Sequence, residues 1–489
     1  MKALDYILKG FLFVFAGFGF SRIIGYVFSI IVARIGTTDY GIFNLINIAL
    51  EMFLMISVIG LNEGIVRYIS FYQGKNDSNS TNKALSTALI VSFVFSIIIT
   101  VAVFLSSDYI ALSMFHNKDF GIILKYTVLI LPILNVYRIM VPALRGFKAV
   151  KYWMYSNDIW KSLTQFIVGS LLVLLGFGLY GAIAGVVASI LVAFGFTIYY
   201  LRKTFKFKIV LNFDKEIILF SYPLLFSNFL IIIKDWLSTL LLGYFAGVSN
   251  VGIFSVAVLI ARLITIMPAA LTSLFLPVVT EKHAKNKNIK DVYVITTKWV
   301  FLSNIFLTSL IILISRQIII ISFGKSYALA IAPLIILSIG YFIENTLVTS
   351  KFVLYMLKKT KLVFIFLLLT TIGNLLLSLW LIPKYNVYGA SIATAISMAS
   401  LGLLYLIYSY RYTKINLFKN YHIKIFLAGV ISMLLSYLSG TLIHQKDTIF
   451  YLIIISIEFA IIYVGLIFLF KILTKKELGL FKNLSFIKD

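Results

Sequence analysis

Nine ionisable residues stand inside long apolar stretches of this 489-residue chain: Arg22, Glu51, Arg138, Lys234, Asp235, Arg262, Glu344, Lys351 and Glu458. At the centre of a bilayer each charge costs about 2.5–3.5 kcal/mol even on the lenient insertion scale. Facing lipid, the set would cost roughly 20–30 kcal/mol, more than the net stability of a typical fold. Such groups must face protein or water. Either they pair with one another, or they line a wet pathway along which a solute or a coupling ion moves.

Helical spacing groups them, because residues four and seven apart share a face. Arg22 shares one with Gly25 and Ser29, and Glu51 with Asn44, Asn47 and Asn62. Arg138 falls with Asn135, Pro142 and Arg145; Lys234 falls with Ser227 and Ser238, beside Asn228, Asp235 and Thr239. Arg262 joins Ser255, Thr265, Ala269 and Thr272, and Glu344 joins Tyr341, Lys351 and Tyr355. Arg22, Arg262, Lys234, Arg138 and Lys351 are the candidates for substrate contact. Glu51, Asp235 and Glu344 are candidates for coupling or ion pairing, with Glu51–Arg262, Lys234–Asp235 and Glu344–Lys351 as the pairs to expect. Lys161 and Lys298 read as interfacial residues whose stems snorkel to water.

The elements that carry these residues follow from length and composition. The chain is 61% hydrophobic and 12% charged, about half the charge of a soluble domain. About 20 apolar residues span the hydrocarbon core as a helix. The segments are 10–34, 41–66, 84–106, 120–144, 160–178, 181–201, 217–243, 251–276, 294–315, 328–355, 362–382, 388–410, 423–443 and 448–470. They lack the alternation of a barrel strand, so the expectation is an all-α polytopic protein of about fourteen transmembrane helices. The first is too long for a signal peptide and runs at once into a second span.

The 43 Lys and Arg against 18 Asp and Glu give a net charge of +25. They fall in short clusters between the apolar runs rather than in one patch, which makes nucleic acid an unsuitable partner. Assigning alternate loops to opposite sides puts about 29 basic residues on one side and about seven on the other, which places both termini inside. There is no cysteine, the four histidines sit in or near loops without metal-ligand spacing, and no P-loop occurs. With short external loops besides, an enzyme is disfavoured and no cofactor is expected.

An internal repeat runs through the chain. Tyr40-Gly41-Ile42-Phe43 returns as Val251-Gly252-Ile253-Phe254; Leu144, Lys148 and Lys151 return as Leu354, Lys358 and Lys361; Tyr180-Gly181-Ala182 and Ser189 return as Tyr388-Gly389-Ala390 and Ser397. Six spans per repeat make both halves enter the membrane in the same direction. The expected organisation is an N-terminal lobe 1–205, a pseudo-symmetric C-terminal lobe 206–415 around a central cavity, and an extra helix pair with a cytoplasmic tail over 416–489. Arg22 and Lys234, and Glu51 and Arg262, sit at equivalent depths of the two halves.

Ser21-Arg22-Ile23-Ile24-Gly25, Ala33-Arg34-Ile35-Gly36, Tyr40-Gly41-Ile42-Phe43 and Gly60-Leu61 with Arg67-Tyr68 resemble the opening of oligosaccharide and polysaccharide flippases. These belong to the multidrug/oligosaccharidyl-lipid/polysaccharide exporter superfamily, whose fourteen-helix members match the helix count. The resemblance implies a cell-membrane translocator of an isoprenoid-pyrophosphate-linked oligosaccharide for O-antigen, capsule or another envelope polymer, working by alternating access. It implies a diphosphate-binding role for Arg22, since Ser21-Arg22-Gly25 also looks like the first-helix motif of lipid II flippases. Partners would be the bilayer, the lipid-linked oligosaccharide, and a polysaccharide polymerase or glycosyltransferase machinery; coupling to H⁺ or Na⁺ stays open. The alternatives are a cation-coupled multidrug exporter, a lipid II-type flippase, and a membrane transferase on the same lipid carrier.

Overall fold

A computed structural model describes residues 19–285, 288–443 and 447–473, and all regular structure among them is helical. The expected first span is thus seen from Gly19 onward, and the expected cytoplasmic tail lies outside the described residues. In chain order the helices are α1 Gly19–Ala33, α2 Thr37–Val58, α3 Leu61–Gly74, α4 Ser78–Phe115, α5 Lys118–Gly146, α6 150–177, α7 Gly178–Thr204 and α8 Lys215–Ala246. They continue with α9 Val248–Ala261, α10 Ile266–Ala284, α11 Lys290–Leu313, α12 Ser315–Ser322, α13 Lys325–Met356, α14 360–385, α15 387–413, α16 Asn420–Thr441 and α17 Ile449–Leu469. Eleven runs among the described residues are long and apolar enough to cross a membrane. Two of these, Val150–Thr204 and Thr360–Thr413, are each split by a residue with non-helical backbone.

The helices are turned inside out relative to a soluble bundle. On α4 the small hydroxyl residues Ser92, Ser96, Thr100 and Ser107 are buried, while Val94, Ile98, Val101 and Leu105 are exposed. Large apolar side chains cost nothing against lipid, and small ones let neighbouring helices approach closely. The buried hydroxyls of Ser92, Ser96 and Ser107 donate to carbonyls of their own helix, which satisfies them without a partner helix.

The repeat recurs as local geometry. Lys148 (φ 60°) and Lys358 (φ 58°) both take the left-handed conformation that stops a helix. In each case the next amide closes the same cap, Ala149 N to Leu144 O and Lys359 N to Leu354 O, both 2.9 Å. Gly178 (φ 51°, ψ −131°) and Asn386 (φ 47°, ψ −120°) share one uncommon backbone state at the helix break. Just beyond, Gly181 lies on the Leu172–Val173 backbone as Gly389 lies on the Leu381–Ile382 backbone. A side chain at either glycine would force the paired helices apart.

Chain contacts divide the molecule into two compact units, Met1–Ser255 and Val256–Asp489. In the first, α8 and the start of α9 pack on the helices before them. Gly60 (φ 72°) brings the α2–α3 corner against the Ser221 carbonyl, and Gly64 receives the Ser221 side chain. Tyr72 of α3 donates to Asp214, the N-cap of α8, at 3.0 Å. Burial and that carboxylate push the Tyr72 phenol well above its ordinary range.

In the second unit, α16 and α17 pack on α11 through Phe301, Ile305, Ile425, Ala428, Phe459, Tyr463 and Ile467. Lys298 fastens this join. It is 4% exposed and donates to the Ile472 carbonyl at 2.8 Å, beside the Tyr421 ring. The snorkelling expected of Lys298 is therefore incorrect, because a helix-end carbonyl satisfies its ammonium inside the protein.

Candidate functional site

A network of charge occupies the first unit, and α2, α5 and α6 position it. Arg138 Nη2 on α5 meets Glu51 Oε1 on α2 at 2.5 Å, with the side chains 35% and 41% exposed. Two turns further along α5, Arg145 Nη2 lies 3.7 Å from Glu63 Oε2. The corner at Ile59 (φ 53°) and Gly60 lets α2 and α3 present both carboxylates along one side of α5. Polar bonds brace that helix: Asn135 Nδ2 donates to Ser57 Oγ at 2.6 Å, and the Tyr137 hydroxyl donates to the Ser156 carbonyl at 3.0 Å. The Arg138 Nε is buried without a hydrogen-bond partner, so its guanidinium retains a donor.

Two further members come from α6. Its π-turn Tyr155–Trp160 carries Asp158, which is 8% exposed and accepts from Asn157 Nδ2 at 3.1 Å. Asp158 lies within electrostatic reach of Arg22 and Lys161, and Lys161 within reach of Arg138 and Glu51. Lys161 is thus a member of the network and does not snorkel away from it. Asp158 was not foreseen because the apolar window of its span opens at residue 160. The available signal was its three-residue spacing to Lys161, which puts acid and base on one helical face. Arg22, Arg138, Arg145 and Lys161 outnumber Glu51, Glu63 and Asp158 by one positive charge.

A cavity of about 220 Å³ adjoins the network. Glu51, Asn62, Glu63 and Arg138 line one side, and Asn228, Ile231 and Ile232 of α8 line another. The amides of Asn44 and Asn47 donate to Tyr40 O and Phe43 O on their own helix, both at 2.7 Å, and do not line it. At the far end of α2, helix starts meet reciprocally. Thr37 Oγ1 and Ser249 Oγ are 2.8 Å apart. A methyl group at Gly41 would overlap the Val248 carbonyl oxygen, and one at Gly252 the Thr37 carbonyl oxygen. The repeated Gly-Ile-Phe motif is therefore a self-complementary contact.

The remaining candidates have local contacts of their own. Lys234 Nζ is 3.9 Å from Asp235 Oδ1, the pair expected from sequence. Glu51 pairs with Arg138, a partner within its own unit. In the second unit, Arg262 opens a 3₁₀ turn and its Nε donates to the Tyr341 hydroxyl at 3.3 Å. Lys351 Nζ lies 5.7 Å from the Tyr355 ring centre, and Glu344 packs beside Gly402. Glu458 accepts from Ser439 at 2.8 Å, and it lines a hollow on α17 with Ile454, Ile457, Ile461 and Ile462. No group of three or more metal-ligating side chains occurs among the described residues.

Comparison with known proteins places this arrangement. A sequence model of the family described as "Polysaccharide biosynthesis protein" matches residues 7–283. "Probable flippase AglR" of Haloferax volcanii is 27% identical over 271 residues, 54% of this chain and 56% of that protein. The chain therefore matches little more than half the length of this curated relative. Among solved structures, lipid II flippase MurJ in an inward closed conformation superimposes with a TM-score of 0.75 at 16% identity, covering 94% of this chain and 98% of that one. An inward-facing multidrug resistance MATE transporter of the MOP superfamily gives 0.70 at 17% identity, covering 81% and 94%. Likeness at such identities shows the fold alone, a multi-pass all-helical membrane fold. With the family model spanning more than half of its length, the chain belongs to the polysaccharide biosynthesis protein family.

Proposed function

We propose that the chain flips a lipid-linked oligosaccharide, with an isoprenoid-pyrophosphate carrier, from the cytoplasmic to the outer face of the membrane for polysaccharide export. The observation that carries the reading is the charged cavity beside Glu51 and Arg138, walled on its other side by α8, the first helix of the second repeat. Separating the two broken runs and counting α1 as the end of a further span would make fourteen crossings, the number expected from sequence. Two six-helix lobes, both termini inside and a terminal helix pair follow from the repeat and the loop charges.

The network suits a diphosphate. Glu51 and Asp158 offset two of the three positive charges of Arg22, Arg138 and Lys161, so most of the cationic charge need not be buried unpaired. An arriving diphosphate competes for them, and Arg138 offers a bidentate fork. The carboxylates released from their partners could then take up H⁺ or Na⁺, which makes Glu51, with Asp235 and Glu344, candidates for coupling. Arg262, Lys234 and Lys351 extend the cationic set in the second repeat. The α2–α9 contact would close the outer side while the cavity loads from inside, and rocking of the lobes would open it.

A second reading, a cation-coupled exporter of organic cations, draws on one observation: Glu51 and Glu63 both line the cavity beside a single arginine. Gene deletion separates the two. Loss of the flippase leaves complete lipid-linked glycan on the cytoplasmic face, and loss of a cation exporter changes toxin tolerance with surface glycan intact. Arg22→Ala and Arg138→Ala, at normal protein level, should each abolish surface glycan. Unchanged surface glycan in both variants would refute the assignment.

A further inference from the structure

A second cavity, of about 650 Å³, lies at one end of the second unit, and it differs in character from the first. Its lining holds four basic side chains, His283, Lys290, Lys414 and Lys419, and no carboxylate. They come from separate places in the chain: the last turn of α10, the first residue of α11, the end of α15 and the start of α16. The nearest acids in sequence, Glu281 and Asp291, are outside the lining, and Lys285 already holds Glu281. Lys414 is fixed there by its own left-handed backbone (φ 56°), which ends α15 and turns the chain across the cleft.

The floor is apolar. Met356 and Leu357, at the end of α13, line it and continue into a buried cluster with Phe275, Val279, Tyr293 and Val353. A cationic rim over a hydrophobic floor, where four helices end, is the shape of a membrane surface site and not of a soluble anion site. Loop lysines acting only as topological signals need not converge on one cleft, nor exclude acids from it.

We propose that this cleft binds the phosphate head group of an anionic phospholipid, with the first methylenes of the acyl chains on the Met356–Leu357 floor. Lysines near a membrane surface attract anionic lipid strongly, and basic pockets at helix ends concentrate that attraction on one head group. The inference rests on the multi-pass membrane fold and not on the transport reading, so either can fail without the other.

Binding is measured by native mass spectrometry of the full chain, released from nanodiscs of phosphatidylglycerol and phosphatidylcholine. The wild type should retain phosphatidylglycerol in preference to phosphatidylcholine and lose it as salt rises. The triple variant Lys290→Gln, Lys414→Gln, Lys419→Gln should lower phosphatidylglycerol retention at least about tenfold. A variant that removes the same charge elsewhere, Lys75→Gln, Lys206→Gln, Lys208→Gln, should retain it. Equal loss in the two variants, or equal retention of phosphatidylcholine by the wild type, would overturn the site. Inorganic phosphate at millimolar concentration should leave the lipid in place; its displacement would make a soluble phosphate the occupant and overturn the lipid assignment.

Discussion

Replacing Glu51 with Gln tests the network at its tightest point. The substitution keeps the shape and one acceptor, and it removes the charge facing the Arg138 guanidinium. Removing one partner of a fully buried pair costs about 3–5 kcal/mol, because the other charge is left uncompensated. Here the side chains are 35% and 41% exposed, so the cavity screens part of that cost. About 1–3 kcal/mol of destabilisation is expected. Lys161 lies close enough to share the loss, since it too is deprived of a carboxylate. The assay is equilibrium unfolding of the purified protein in detergent, run as a double-mutant cycle with Arg138→Gln and with the exchanged pair Glu51→Arg, Arg138→Glu. A coupling free energy of at least about 1 kcal/mol is expected, with the exchanged pair recovering part of the single-variant loss. Strict additivity would show that the two groups do not sense one another, and the ion-paired resting state of the site would have to be abandoned.

Four further outcomes follow from the geometry. Because the chain has no cysteine, Thr37→Cys with Ser249→Cys introduces a unique pair; it should cross-link readily and stop transport until reduced, and failure to cross-link would show that these helix starts do not meet. Gly41→Ala should destabilise by about 1–3 kcal/mol in thermal unfolding, through overlap with the Val248 carbonyl, and Gly252→Ala should behave alike. Lys298→Met should cost about 1–3 kcal/mol and make the α16–α17 pair the first site of limited proteolysis, since the Ile472 carbonyl loses its buried donor. The Ser80 hydroxyl and amide hold the Asp77 carboxyl below the usual carboxylate range, so its contribution is complete above the unfolded value of about 4 and is lost as pH falls through the lower folded value. Asp77→Ala should therefore lower the melting temperature at neutral pH and converge with the wild type in strong acid.

Much of the fold was legible because lipid imposes one rule, long apolar helices, on every span. Repeat positions were legible where a residue recurs at one structural position: Lys148 and Lys358 at a helix stop, Gly181 and Gly389 at a close helix crossing. The helix breaks fall at Gly176, Gly178 and Asn386, since glycine and asparagine tolerate positive φ. The partners of charges were less legible. Glu51 and Arg138 lie 87 positions apart, and no periodicity on either helix says which neighbour faces which. Lys298 was misread because a lysine near a helix end looks the same whether it reaches water or a carbonyl. Asp158 was missed because a hydropathy window ends where polar residues begin, and the π-turn there carries it inward.

The central claim is that a lipid-linked oligosaccharide crosses the bilayer through this protein. The most direct measurement uses sealed vesicles that hold the purified chain and a fluorescent lipid-linked oligosaccharide, with a membrane-impermeant quencher added outside. The account predicts that inner-leaflet probe becomes accessible rapidly with the wild type, and that cross-linking Thr37→Cys to Ser249→Cys blocks this until a reductant is added. Accessibility no faster than in protein-free vesicles, under an imposed potential and under H⁺ and Na⁺ gradients alike, would contradict it.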